Sequence, residues 1–138
     1  MSRMEFCHAT DPRYLSTLDA IREELAENAL VWRYSGMREQ EGSFLACAFW
    51  VVEALAAAGR AEEAAERMRD LMELGGPTGL YSEEAAADGT LLGNLPQALT
   101  HLSLILAARA LAAAGYSGVS MNDSNSVSAH SSQTVRST

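Results

Sequence analysis

The sequence predicts an all-α protein built from αα-hairpins, and three observations lead to this fold class. Apolar residues recur at helical spacing in four segments, which we place near 11–28, 42–58, 61–74 and 95–114. Helix-breaking residues stand between these segments, among them Gly59 and the run Gly75-Gly76-Pro77. No stretch keeps the alternation of apolar and polar residues that is typical of a half-buried strand. We therefore expect four helices and no sheet.

The first two helices have clear start and stop signals. Asp11 and Pro12 are an N-cap followed by a proline in the first turn, and Gly59 stands where a left-handed residue often follows a helix. The second helix is apolar around most of its circumference between 44 and 55, which is typical of a helix inside a larger protein. Cys47 lies in it, and neither Cys47 nor Cys7 has metal-ligand spacing, so we expect reduced structural thiols and no metal site.

The third and fourth helices differ in character. The third is amphipathic and peripheral, because charged residues surround a single apolar face. Asn94 and Gln97 have the spacing of a capping box, so the sequence predicts that they start the fourth helix, which ends at Gly115. The remaining residues, 116–138, are rich in Ser and Asn, and we interpret them as a disordered tail beside an ordered region, 1–115.

Composition excludes several classes of protein. The chain has 138 residues, of which 48% are hydrophobic and 20% charged, as expected for one globular domain. Its formal net charge of −8 argues against nucleic acid as a partner, because nucleic-acid surfaces need clustered basic residues. We find neither a signal-peptide pattern nor an apolar run long enough for a membrane span. We therefore expect a cytoplasmic protein that does not enter a membrane.

Two adjacent carboxylates, Glu83 and Glu84, lie in a glycine-bounded loop directly before the fourth helix. Functional groups concentrate in polar loops held by rigid elements, although a solvated charged turn is the simpler interpretation of such a pair. Trp32 stands in an apolar context that favours the core over a sugar contact. His101 follows Gln97 by one helical turn, and an isolated histidine on an apolar helix favours a hydrogen-bonded core residue over a residue lining a cleft.

This loop resembles a known family. The run SEE and the following LLGNLPQALTHLSLI are similar to the last catalytic segment of bacterial glycoside hydrolases of family 15, the glucoamylase and trehalase group. Three earlier segments follow the order of the same family, namely FCHATDPRYLSTLDAIREEL, VWRY and EGSFLACAFWVVEALAAAGRAEEA. The resemblance covers 6–115 and corresponds to the C-terminal part of such enzymes. The chain departs from the family at Cys7-His8, where a proline often stands, and in its short loop between Tyr34 and Glu41.

The resemblance implies a fold, a reaction and a set of site residues. The fold is an (α/α)6 barrel, of which this chain would hold about a third. The reaction is hydrolysis of α-glucosidic bonds with inversion, on α-glucosides or trehalose-like carbohydrates, and it needs no cofactor or metal. Glu83 matches the general base of the family, and Arg33, Tyr34 and Glu84 match positions beside the substrate.

The second carboxyl group that glycoside hydrolysis requires is missing from the sequence. One group must protonate the leaving oxygen while another activates water, and no other acidic residue stands in the context of the family's general acid. We therefore expect the isolated chain to be inactive, and to self-associate through apolar surface on its second and fourth helices. Two alternatives stay open: a small helical module that binds carbohydrate or protein, and an interaction protein of repeated hairpins. No motif recurs between 11–58 and 61–114, which counts against repeats.

Overall fold

The computed structural model describes residues 7–36 and 41–116, and this part of the chain is dominated by helices. They are α1 (Pro12–Leu25), α2 (Leu45–Ala57), α3 (Ala61–Leu74) and α4 (Ala98–Ala113), with a single 3-10 turn at Gly76–Thr78. The four predicted helices are confirmed, and every end lies within three residues of its predicted position. The tail predicted over 116–138 lies, from 117 onward, outside the described residues.

The prediction that the chain forms no sheet is wrong, because very short strands join the helices. Strand β1 (Ala26–Glu27) pairs antiparallel with β2 (Leu30–Val31). A second sheet has the order β3 (Ser43–Phe44), β4 (Glu84–Ala85) and β5 (Leu91–Leu92), again antiparallel. A strand of two residues is too short to produce the alternating pattern by which strands are recognised in a sequence.

Helix α2 lies at the centre of the fold. Leu45, Phe49, Val52 and Leu55 have no exposed surface, and α1, α3 and α4 all pack against this helix. The expectation that α2 exposes a large apolar surface is therefore wrong, since its neighbours cover its large apolar side chains except Trp50. The same expectation holds for α4, whose outer face is apolar and exposed.

The two predicted helix starts have different outcomes. The side chain of Asp11 accepts a hydrogen bond from the backbone N–H of Arg13 at 2.9 Å, so this N-cap is confirmed. The capping box of Asn94 and Gln97 is wrong, because α4 begins after Gln97 and has no side-chain cap. Pro96 disfavours helical backbone for the residue before it, which delays the start of the helix and leaves Asn94 for another contact.

Three carboxyl groups in the fold have lowered pKa values. Hydrogen bonds from the side chain and the backbone N–H of Arg13 lower the pKa of Asp11 from 3.8 to about 2. The Arg60 guanidinium lowers the pKa of Asp19 in the same way, and the backbone N–H of Thr90 lowers that of Asp88.

These shifts predict acid sensitivity. The folded-state pKa lies below the unfolded value, so the unfolded chain binds more protons and the native state loses stability as the pH falls from about 4 to about 2. Thermal melts by circular dichroism across this range should show a falling Tm. Asp11→Asn keeps a capping oxygen but cannot titrate, so it should remove part of the fall. An equal fall of Tm in the variant and the original chain would contradict the role of Asp11.

Ser43 joins the two small sheets. Its buried hydroxyl accepts a hydrogen bond from the N–H of Val31 at 2.9 Å and donates one to the carbonyl oxygen of Val31 at 3.0 Å. We expect Ser43→Ala to lower the free energy of unfolding by about 1–3 kcal/mol, because both buried backbone groups lose their partner. Urea denaturation measures this loss. Ser16→Ala removes an exposed hydroxyl that donates to Arg13 and is the control; equal losses in the two variants would contradict the expectation.

Candidate functional site

Glu84 lies in β4 and Glu83 directly precedes this strand, and their side chains have different partners. Glu84 is paired with Phe44 of β3. The backbone of Glu83 continues the ladder: its N–H donates to the carbonyl oxygen of Asn94 at 3.0 Å, and its own carbonyl accepts from the N–H of Leu45 at 3.1 Å. The two carboxylates therefore have separate surroundings although they are neighbours in the chain.

Arg33 lies between two carboxylates on the Glu84 side. Its Nη2 atom is 2.6 Å from Oε2 of Glu41 and 3.5 Å from Oε1 of Glu84, and its Cζ atom is 5.2 Å from the centre of the Phe44 ring. The hydrogen bond to Glu41 raises the pKa of Arg33, which keeps the guanidinium charged. The structure thus brings together Arg33 and Glu84, two of the residues that the sequence analysis assigned to substrate contact.

The segment around Arg33 is anchored by its neighbours. Tyr34 is 61% exposed, and its ring centre lies 6.0 Å from Cζ of Arg33. Trp32 is a buried core residue, as expected, and its Nε1 donates to the carbonyl oxygen of Glu41 at 3.3 Å. Tyr34 is therefore the aromatic side chain of this segment that is open to a ligand.

Glu41 and Gly42 lie outside α2, which starts at Leu45 and not at the predicted position 42. A Cβ atom at position 42 would lie 3.0 Å from Cβ of Glu84 and 3.1 Å from its Oε2. The absence of a side chain at Gly42 lets Glu84 lie against the neighbouring backbone. Gly42 therefore adjoins the group of Arg33, Glu41 and Glu84, which we call the Arg33 cluster.

The Glu83 side chain is held by the segment before α4. The Nδ2 atom of Asn94 donates to Oε2 of Glu83 at 3.0 Å. Gly93 has a φ of 75°, and a Cβ atom there would lie 3.1 Å from both Cβ and Oε2 of Glu83. Glycine is required at this position for its left-handed backbone and for the close approach of the half-buried glutamate.

Helix α4 fixes the backbone of the loop. The N–H of Gln97 donates to the carbonyl oxygen of Tyr81 at 2.9 Å, and the hydroxyl of Thr100 donates to that of Ser82 at 2.9 Å. His101 accepts from the N–H of Tyr81 through Nε2 at 3.4 Å, which leaves the proton on Nδ1 for the carbonyl oxygen of Gln97 at 2.7 Å. His101 is thus a hydrogen-bonded structural residue, as the sequence favoured, and the loop is held in one arrangement before any ligand arrives.

Tyr81 anchors the loop in the core. It is 3% exposed, its ring meets Phe49 edge-on with centres 5.6 Å apart, and its hydroxyl donates to the carbonyl oxygen of Met72 at 3.2 Å. Burial raises the pKa of this tyrosine. The loop that carries Glu83 therefore depends directly on the packing around α2.

The sequence analysis gave other roles to two residues of this site. Asn94 was interpreted as a helix cap and Glu41 was named only as the end of a short loop, yet they are the partners of Glu83 and Arg33. These pairs are 11 and 8 residues apart in the chain, and the first of them lies across the turn that joins β4 and β5. The run Gly93-Asn94 before a Leu-Pro pair, which marks a turn as well as a cap, was the available signal.

Other kinds of site have little support in the ranges 7–36 and 41–116. No group of three His, Cys, Asp or Glu side chains in these ranges could hold a metal ion, and both Cys7 and Cys47 are free thiols. Within the same residues, no helix combines the length and the apolar character needed to cross a membrane.

Comparison with curated proteins indicates a trehalase-like glycoside hydrolase region. In an alignment of 107 positions that covers 72% of this chain, the sequence is 42% identical to a trehalase of Mycolicibacterium smegmatis and 41% identical to a trehalase of Mycobacterium tuberculosis. It is 41% identical to a trehalase of Thermoplasma volcanium over 105 residues. The matched region is 16% of the length of the first two relatives and 17% of the third. No family model matches the chain, and no solved structure matches it.

Proposed function

We propose that this chain is the C-terminal segment of a family-15-like glycoside hydrolase, which hydrolyses α-glucosidic bonds in trehalose-like carbohydrates with inversion. One observation carries the proposal: the loop in which Asn94 holds Glu83 also presents Glu84 to Arg33 at the same end of the fold. This loop belongs to a chain that is 42% identical to a trehalase over 107 residues. An (α/α)6 barrel is the corresponding architecture of the whole enzyme.

In this proposal Glu83 is the general base. Its carboxylate accepts a proton from the water that attacks the sugar, while Asn94 binds one carboxylate oxygen and orients the group. Arg33, Tyr34 and Glu84 contact the sugar hydroxyls. We assign Glu84 to the sugar hydroxyls and not to the general acid, because its carboxylate lies beside Arg33. The acid is supplied by a part of the hydrolase outside this chain, so the isolated chain is inactive.

A chimera tests the proposal. The region of the Mycolicibacterium smegmatis trehalase that matches this chain is replaced by the corresponding residues of the chain. We expect the folded chimera to release glucose from trehalose, and the isolated chain to release none. Inversion predicts that the first products are equal amounts of α- and β-glucose, which proton NMR distinguishes. A folded but inactive chimera would count against the function, and activity of the isolated chain would show that it is catalytically complete.

A second candidate is a small carbohydrate- or protein-binding module, and a cavity favours it. An open cavity of about 250 Å³ lies between α1 and α2, lined mainly by apolar side chains that include Ile21, Cys47 and Trp50. Trp50 is 41% exposed, so its ring is available to a ligand. Tryptophan fluorescence of the isolated chain with trehalose or maltose tests this function. Saturable quenching that Trp50→Ala removes would favour the module over the hydrolase segment.

A further inference from the structure

The outer face of α4 carries large apolar side chains that no described residue covers. Leu99, Leu102 and Ile105 are 42%, 57% and 54% exposed, and Leu95, in the turn before the helix, is 56% exposed. We name these four residues the α4 stripe. We propose that the α4 stripe is the docking surface for helices of the remainder of the trehalase-like hydrolase. This inference rests on the function proposed above.

The composition of α4 supports an apolar partner. Its opposite face is buried in the fold through Thr100, Ser103, Ala107 and Leu111, so the helix is apolar or small on both sides. Arg109 is its one residue with a formal charge. A helix that is apolar all round is typical of the interior of a larger protein.

Helix α3 shows what a solvated helix of this chain looks like. Its exposed face carries the charged residues Glu62, Glu66, Arg69, Asp70 and Glu73. These side chains are favourably hydrated. Burial of each exposed leucine of α4, by contrast, would lower the free energy of the protein. The contrast between the two helices indicates that the outer face of α4 is suited to packing and that of α3 to water.

The length of the relatives identifies the occupant. The matched region is only 16% of the trehalases of Mycolicibacterium smegmatis and Mycobacterium tuberculosis, so most of such a protein lies outside it.

The position of the stripe connects docking with catalysis. Leu95 directly follows Asn94, whose amide holds Glu83. Helices seated on the α4 stripe would therefore begin beside the Glu83 loop, at the end of the fold where a general acid has to reach the substrate. Docking would complete both the apolar core and the pair of carboxyl groups.

Complementation in trans tests the inference. The tagged 138-residue chain is co-expressed with a Mycolicibacterium smegmatis trehalase that lacks its matched region, and the complex is captured and sized by gel filtration. We expect a one-to-one complex. The double variant Leu102→Glu/Ile105→Glu should reduce capture at least about tenfold, which corresponds to roughly 1.4 kcal/mol. Met72→Glu is the matched control, because Met72 is also an exposed apolar residue, 38% exposed, but lies on α3.

The outcomes separate docking from function. Circular dichroism verifies that the variants fold, which is expected because the substituted side chains are exposed. Three outcomes would overturn the docking surface. They are the absence of a complex, a truncated trehalase that stays insoluble when the chain is co-expressed, and capture that the double variant does not reduce. A complex that does not hydrolyse trehalose would overturn the proposed function and support the docking. A homodimer of the isolated chain that the double variant breaks would replace the hydrolase with a second copy as the occupant.

Discussion

Replacing Phe49 with alanine is expected to lower the free energy of unfolding by about 3–5 kcal/mol. Phe49 has no exposed surface, lies in the middle of α2, and packs edge-on against Tyr81. A loss of this size removes much of the ~5–15 kcal/mol that stabilises a typical domain. Urea denaturation followed by circular dichroism measures it. Because Tyr81 begins the loop that carries Glu83, the variant should also disorder the candidate site.

The neighbouring residue provides the control for this prediction. Trp50 is larger than Phe49 but 41% exposed, and it lies one position along the same helix. We expect Trp50→Ala to cost much less stability, since a partly exposed side chain leaves no closed cavity. Equal losses at positions 49 and 50 would show that α2 is not the central helix of the chain in solution.

The helices were predictable where their signals are local. The bounds of α3 match the prediction, because its amphipathic pattern and the glycines on either side lie within one short stretch. The same holds for the N-cap at Asp11. By contrast, α2 and α4 each begin three residues later than predicted: 43–44 pair with β4 in the small sheet, and Pro96 delays the start of α4. Pairing between distant segments overrides a local preference for helix, and the sequence contains no pattern that reports it.

The environment of α2 shows a second limit of sequence analysis. Apolar residues all round a helix indicate that it is enclosed, but they do not identify the elements that enclose it. Here α1, α3 and α4 of the same chain enclose it, whereas we expected its partners to be missing. The unpartnered surface lies on α4, which the same reasoning predicted correctly.

The candidate site was predictable only in part. The resemblance singled out Glu83, Glu84, Arg33 and Tyr34, and the structure gives each a position near β4. Neither composition nor periodicity could reveal that Glu83 and Glu84 have different partners, because these come from segments distant in the chain. The partners Asn94 and Glu41 reach the site through loop geometry, which has no sequence period.

The separation of Glu83 from Glu84 predicts different kinetic defects in the chimeric trehalase described above. Glu83→Gln keeps the size of the side chain and its hydrogen bond to Asn94 through the amide oxygen, but it removes the proton acceptor. We expect kcat to fall by about 10²–10⁴-fold with little change in KM.

Glu84→Gln weakens the contact with Arg33, which keeps its partner Glu41, so KM should rise while kcat changes less. Steady-state hydrolysis of trehalose measures both constants, and Glu66→Gln on the exposed face of α3 should change neither. Equal effects on kcat at positions 83 and 84 would contradict a single general base, and a normal kcat in Glu83→Gln would remove Glu83 from the mechanism.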